Sequence, residues 1–195
     1  MPGPTRYDQV AIAIHWVTAT AIVIQFALGW TMISLQPPSY LHFSLHQWHK
    51  SIGITILVFS LLRLLWRVLH RPPPLPATMP AWEKRAAKVS HATLYVLLIA
   101  LPISGWAVVS ASPLNIPTFL FGVLPFPHLP VLPDLPDKRD AQHALKILHE
   151  FGGWLLALLL AGHVGAALRH HFLIRDDVLV RMLPRYRRLP TFRRS

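Results

Sequence analysis

The sequence predicts an all-α integral membrane protein, a bundle of four transmembrane helices. Three observations predict this fold: 53% of the 195 residues are hydrophobic, only 14% are charged, and four apolar stretches each approach the roughly 20 residues that cross a bilayer. We expect residues 1–195 to form a single membrane domain with no large soluble part. The predicted spans cover residues 10–33, 48–68, 89–111 and 147–169, and a basic tail follows over 170–195.

Proline-rich segments separate the predicted spans. "LQPPS" follows the first span, "RPPPLPATMPAW" follows the second, and the long segment 113–136 precedes the fourth. Proline interrupts helices and extends loops, so these segments mark boundaries. The first span is too long for the apolar region of a signal peptide and no A-x-A-like site follows it, so we expect it to be retained.

The basic residues are distributed unevenly between the two sides of the predicted bundle. Fifteen of the 19 lysines and arginines fall on the side that holds both termini and the second loop, and the other four are Lys50, Lys138, Arg139 and Lys146. Cytoplasmic loops carry such an excess, which predicts cytoplasmic N- and C-termini. The net charge of +11 then indicates topology and contact with lipid headgroups, with no nucleic acid as partner.

Histidines stand at unusual places in the fourth span. His149 and His163 are 14 residues apart, so they lie on nearly the same helix face about 21 Å apart along the axis. Three explanations compete: hydrogen bonds to neighbouring helices, a pathway for protons or metal ions, and axial ligation of two haems. His170 and His171 fall just past the inner end of the span, where we expect them at the interface.

The haem hypothesis requires each histidine to have a partner at equal depth on another helix. On the outer side His49 is the deepest histidine of the second span, which makes it the partner of His149. On the inner side His163 lies about 9 Å inside its span, His15 about 7–8 Å and His91 about 3 Å, at 1.5 Å per residue. His15, whose depth matches that of His163 better, is therefore its expected partner.

Two further residues of the second span bear on this hypothesis. Arg63 follows His49 by 14 residues, so it points to the same face at the level of the inner pair. A charged arginine in the membrane needs an anionic partner, which a haem propionate would provide, or it must extend to the headgroups. Gly53 lies one turn beyond His49, where a missing side chain would admit a flat macrocycle.

Several segments together resemble the bacterial cytochrome b561 family, from Arg6 to about Pro184. They are "RYDQVAIAIHW", "HKSIGITILVFSLLRLLWR", "HATLYVLLIALPISGW", and "LHEFGGWLLALLLAGH" followed by "RDDVLVRMLP". The resemblance implies a multi-pass protein of the bacterial inner membrane that carries electrons between a donor and membrane quinone. It also implies two b-type haems, each with two histidine ligands, at His15, His49, His149 and His163.

The resemblance leaves more than one activity open. One branch of the family passes electrons from periplasmic superoxide to ubiquinone, and related branches are cytochrome b subunits of hydrogenases. We therefore consider a stand-alone superoxide:quinone oxidoreductase, an electron-transfer subunit of a larger respiratory complex, and a haem-free, histidine-lined metal transporter. The proline-rich outer loop over 113–136 and the arginine-rich tail depart from the family pattern, so the outer donor stays open.

Four other side chains are candidates for contact with substrates. Lys50 and Lys146 adjoin the expected outer ligands and would attract a small anion such as superoxide, or anchor the chain at the interface. His91 and Tyr95 share one helix face and would hydrogen-bond a quinone. A plain structural hydrogen bond is the alternative for His91.

Overall fold

The computed structural model describes residues 6–35 and 39–184, which contain four long helices. They are α1 (Gln9–Ser34), α2 (Tyr40–Leu69), α3 (Ala81–Ser110) and α4 (Lys138–Arg169). Each is long and apolar enough to cross a membrane, with a mean hydropathy of 1.7 to 2.0 in its most apolar window. The predicted four-helix membrane fold is therefore confirmed.

Three helices begin before the apolar windows that predicted them. Helix α2 begins at Tyr40 instead of residue 48, because the Ser39 hydroxyl accepts a hydrogen bond from the amide of His42 (3.1 Å) and caps the helix. Helices α3 and α4 begin at Ala81 and Lys138 instead of residues 89 and 147. Polar residues continue a helix beyond the hydrocarbon region, so apolar windows mark only its lipid-embedded part.

The helices pack in sequence order, α1 on α2, α2 on α3 and α3 on α4. Buried apolar side chains from all four helices meet in one cluster: Ile22, Ile56, Leu94, Leu98 and Leu156. The small side chains of Thr18, Ser51 and Ser60 are also buried, and small residues let membrane helices approach closely. Within the described residues, the backbone of α4 packs closely on α3 but not on α1 or α2, which leaves space between them.

The proline-rich segment before α4 contains a β-hairpin, so the described chain is not wholly helical. Strands β1 (Thr118–Leu120) and β2 (Leu124–Phe126) pair antiparallel, with Thr118 opposite Phe126. The chain reverses at Phe121 and Gly122, whose φ angles of 54° and 74° belong to the mirror-image turns that match strand twist. The sequence does not predict this hairpin, because its strands are only three residues long and one of them contains Pro125.

The hairpin is fixed to the end of the bundle that we call the outer end. The Ser51 hydroxyl accepts a hydrogen bond from the amide of Phe121 (2.9 Å), and the Gln47 side chain donates to the carbonyl of Pro117 (3.1 Å). The Phe121 ring also packs edge-on against the indole of Trp48, with 5.8 Å between ring centres. The segment 113–136 is thus a cap on α2 and α3 instead of an extended loop.

The first part of the basic tail folds back onto the opposite, inner end of the bundle. Helix α4 continues as a π-helix over His170–Ile174, and a 3₁₀ turn follows at Val180–Met182. The indole N–H of Trp16 donates to the carbonyl of Met182 (2.8 Å), and the Arg6 guanidinium donates to the carbonyl of Leu183. Residues 185–195 of the predicted tail lie outside the described residues.

His170, expected at the interface, is enclosed by contacts within the protein. Its side chain is buried, with Nδ1 2.5 Å from a carboxylate oxygen of Asp176 and Nε2 3.6 Å from one of Glu83. Glu83 also accepts a hydrogen bond from the Arg169 guanidinium (3.0 Å). The sequence could not show this burial, because Glu83 belongs to α3 and meets His170 only after the bundle forms.

Candidate functional site

Two histidine pairs cross the space between α4 and the first two helices. At the outer end the ring centres of His49 and His149 lie 6.3 Å apart, with an angle of 76° between the ring planes. At the inner end those of His15 and His163 lie 6.4 Å apart, with an angle of 64°. The structure thus brings together the partners chosen by depth, and their role as ligands stays a prediction.

The ring separations suit a metal ion held between two imidazoles. An imidazole nitrogen binds a metal at about 2 Å, and each ring centre lies about 1.1 Å beyond its nitrogen, so a shared ion separates the two centres by about 6 Å. The helices leave room for a larger group there, since α4 does not pack closely on α1 or α2. A Cβ added to Gly153, which lies one turn beyond His149 on the same helix face, would meet nothing within 4 Å. The site therefore fits a macrocycle with two axial imidazoles.

A third imidazole stands at the inner end. The His91 ring centre lies 5.4 Å from that of His163, closer than the His15 ring at 6.4 Å. His15 and His91 therefore both lie beside His163, and the choice of His15 as the partner still rests on its depth and stays a prediction. The ring of Tyr95, expected beside His91 at a quinone site, contacts arginine side chains, and the quinone site stays a prediction.

Two guanidinium groups share the Tyr95 ring at the inner end. The Cζ atoms of Arg63 and Arg67 lie 5.5 and 5.9 Å from the ring centre, within cation–π distance. Within residues 6–35 and 39–184, neither arginine forms an ion pair with a carboxylate. Arg63 is half-buried and lies within electrostatic range of both His15 and His163. These cations are therefore available to an anionic group beside the inner pair.

Helix α3 supports His149 in a way that the sequence analysis missed. Its Nδ1 atom lies 2.9 Å from the Ser104 hydroxyl and 3.2 Å from the carbonyl oxygen of Leu101. A Cβ added to Gly105 would lie only 3.0 Å from Cε1 of the His149 ring, so glycine makes room for that ring. The one signal in the sequence is the pair Ser104 and Gly105 in "PISG", two small residues inside an apolar span.

Helix α1 supports His49 differently. The side-chain amide of Gln25 donates to the backbone carbonyl of His49 (3.1 Å), and Gly29 lies against the ring, where a Cβ would be 3.6 Å from Cε1. Gly53, predicted to admit a macrocycle, lies against the Gln25 side chain, and its role beside a macrocycle stays a prediction. A Cβ there would lie 3.3 Å from the amide nitrogen of Gln25, so Gly53 makes room for that side chain.

The outer cations differ in exposure and contacts. Lys146 is exposed and Lys50 is half-buried, both close in sequence to the outer pair. Lys138 donates a hydrogen bond to the Asn115 side chain (3.1 Å), so it holds the capping segment to the start of α4. Lys50 and Lys146 are thus the better candidates for attracting an anion.

The described residues give no support to a metal transporter. Among residues 6–35 and 39–184, no three or more side chains of His, Cys, Asp or Glu form a group that could hold a bare metal ion. The paired imidazoles instead suit a metal whose other ligands come from a bound group, as they do in haem.

Comparison with known proteins agrees with this geometry. The prokaryotic cytochrome b561 family matches residues 6–185. Cytochrome b561 homolog 2 of Escherichia coli (strain K12) is 36% identical over 181 residues, covering 92% of each chain. Cytochrome b561 homolog 1 of the same strain is 30% identical over 184 residues, covering 92% of this chain and 98% of that one. A probable superoxide oxidase CybB of Yersinia pestis is 32% identical over 185 residues, covering 93% and 98%.

These matches span nearly the whole chain, and they agree with its four membrane-spanning helices and facing histidines. Members of this family are membrane cytochromes that use b-type haem for electron transfer. The chain therefore belongs to the prokaryotic cytochrome b561 family and is a multi-pass, haem b-dependent electron-transfer protein.

Proposed function

We propose that the chain carries electrons across the bacterial inner membrane through two haems b. His49 and His149 would hold the iron of the outer haem, and His15 and His163 that of the inner haem. The observation that carries the proposal is the near-equal ring separation of the two pairs, 6.3 and 6.4 Å, at opposite ends of the bundle. Haem b bound at these sites supplies one-electron redox chemistry.

The ligand pairs also determine which chemistry is favoured. An iron held by two imidazoles at each site would have no open position for oxygen, which would favour outer-sphere electron transfer. His149 and His163 are separated by about 21 Å along α4, most of a hydrocarbon core of about 30 Å. The two sites together therefore form a path across the membrane, with the outer site nearest to a periplasmic donor.

The proposed donor is superoxide and the proposed acceptor is a membrane quinone, ubiquinone or another. Two superoxide anions each lose one electron and become dioxygen, while the quinone gains two electrons and two protons and becomes quinol. A relative that shares 32% identity is named a probable superoxide oxidase, which supports this donor. Lys50 and Lys146 would steer the anion to the outer site.

The inner end is the proposed site of charge compensation and of quinone contact. Arg63 would bind a propionate of the inner haem, because its half-buried guanidinium has no carboxylate partner among the described residues. His91 lies beside His163 and offers a ring nitrogen to a quinone carbonyl at that end. The excess of lysine and arginine at the inner end supports cytoplasmic termini.

A role as the cytochrome b subunit of a larger respiratory complex is the second candidate. The exposed apolar side chains of the outer cap favour it, since Val123 is 82% exposed and Leu114 is 75% exposed. Such side chains, when contiguous, are typical of surfaces that meet a partner or the membrane.

Rapid mixing of the purified, haem-loaded chain separates these candidates. We expect superoxide to reduce the haems faster than a neutral one-electron donor of similar potential, and added quinone to reoxidise them. The advantage of superoxide should fall as salt concentration rises, because the steering is electrostatic. Equal rates for the two donors at low salt would contradict the oxidase proposal and favour the subunit role.

A further inference from the structure

The contacts of His149 define which of its ring nitrogens carries the proton. The Leu101 carbonyl oxygen can only accept a hydrogen bond, and it lies 3.2 Å from Nδ1 of His149. The Ser104 hydroxyl donates to the same carbonyl (2.8 Å), which leaves its oxygen free to accept from Nδ1 at 2.9 Å. The proton therefore lies on Nδ1, and Nε2 presents its lone pair to the space between the helices.

This arrangement distinguishes His149 from the other three proposed ligands. Nδ1 of His15 and Nδ1 of His49 are buried without a hydrogen-bond partner within the described residues. No described contact gives His163 a hydrogen-bond acceptor either. Hydrogen bonding of the outer nitrogen raises the basicity of a metal-bound imidazole and fixes its orientation. His149 is thus the ligand whose surroundings most strongly favour the oxidised iron.

We infer that Ser104 is a positioning residue for His149. Its hydrogen bond gives the outer site a lower midpoint reduction potential (called its midpoint below) than the inner site has. The inference rests on the proposed pair of haems. Ser104 has no contact with the reacting groups of its own, and it acts through the orientation and basicity of the His149 ring.

The charges at the inner end favour the same order of midpoints. Arg63 and Arg67 place two positive charges around Tyr95, and Arg63 acts on both inner ligands. Positive charge in a half-buried site stabilises an added electron, which raises the inner midpoint. At the outer end Lys50 is half-buried and Lys146 is exposed, and neither lysine acts on His49 or His149 as Arg63 acts on the inner ligands. Both asymmetries therefore favour electron movement from the outer to the inner site.

Potentiometric titration of the full haem-loaded chain, followed at the α-band, tests this inference. In Ser104→Ala we expect the lower of two midpoints to rise while the higher midpoint stays in place. Ser104→Thr keeps the hydroxyl and should restore the original value. Thr93→Ala is the matched control, because the Thr93 hydroxyl bonds only the Val89 carbonyl of the same helix (3.0 Å) and should move neither midpoint.

The possible outcomes test the role of Ser104 separately from the proposed pair of haems. Two haems with unchanged midpoints in Ser104→Ala, or an equal shift of both midpoints, would overturn the role of Ser104 while leaving the haem pairs intact. A wild-type chain without two haems would instead overturn the proposed function. Ser104→Cys, which offers only a weak acceptor, should raise the same midpoint and provides the measurement if the alanine variant does not assemble.

Discussion

The outer and inner histidine pairs have nearly the same geometry and very different surroundings. Ring centres lie 6.3 Å apart in one pair and 6.4 Å apart in the other. In the outer pair His149 is held by neutral hydrogen bonds to α3, and the pair lies at the end that the hairpin caps. The inner pair has a third imidazole and two guanidiniums beside it. The comparison suggests that shared ligand geometry defines the cofactor and that the surroundings make the two sites unequal.

The largest expected difference between the two ends follows the loss of Arg63. In Arg63→Gln the inner haem loses a charge-assisted hydrogen bond worth about 1.5–3 kcal/mol, which weakens its binding about 10- to 100-fold. Its midpoint should also fall, since a stabilising positive charge is gone. Haem transfer to an apo-protein acceptor, followed by absorbance, measures the loss.

Arg67→Gln is the control for this comparison. Arg67 is more exposed and lies farther from the Tyr95 ring, at 5.9 Å, so its loss should have a smaller effect. An outer haem that weakens as much as the inner one in Arg63→Gln would contradict the assignment of this arginine to the inner site.

Two glycine variants test the outer site directly. A Cβ in Gly105→Ala would lie 3.0 Å from the His149 ring, which must shift at a cost of about 1–3 kcal/mol. The matched variant Gly29→Ala places its Cβ 3.6 Å from the His49 ring, an ordinary contact, and should change little. Thermal release of haem, monitored at the α-band, should occur at lower temperature in Gly105→Ala and stay unchanged in Gly29→Ala. Equal destabilisation by both would show that α3 has no special role.

The cap at the outer end should depend on one buried hydroxyl. Ser51→Ala removes the acceptor for the Phe121 amide and should destabilise the docked hairpin by about 1 kcal/mol, roughly a fivefold rise in the open fraction. Limited proteolysis at the hairpin measures this opening. Ser60→Ala is the control, because the buried Ser60 hydroxyl has no partner in the described residues. Unchanged cleavage of Ser51→Ala would indicate that other contacts hold the cap.

The smallest expected effect concerns steering at the outer end. Lys146→Glu reverses one exposed charge and should slow haem reduction by superoxide about twofold to threefold at low salt, a small share of the 10- to 1,000-fold range of steered association. The effect should vanish at high salt, and Lys84→Glu at the inner end should have none. A slower rate with a neutral donor as well would mean that the variant perturbs the site itself.

The sequence predicts the helices and the facing histidines because both depend on simple periodicities. A fixed rise per residue gives each histidine a depth, and this depth, together with the apolar sequence around His15, favoured His15 over His91 as the partner of His163. The structure places those partners opposite one another, while haem ligation stays a prediction.

The parts that the sequence did not predict depend on contacts between distant segments. The role of Ser104 requires knowing which face of α3 meets α4, and the burial of His170 requires Glu83 from another helix. The hairpin escaped prediction because prolines usually indicate loops, whereas here the turn at Phe121 and Gly122 and the contact with Ser51 hold it in place.

The most direct test of the central claim is the haem content of single histidine variants of the purified full-length chain. We predict two haems in the wild type and one in each of His15→Ala, His49→Ala, His149→Ala and His163→Ala. His15→Ala and His163→Ala should lose the same spectral component, and His49→Ala and His149→Ala should lose the other. His91→Ala should retain both haems. Loss of a haem in His91→Ala with both retained in His15→Ala would contradict the inner pair.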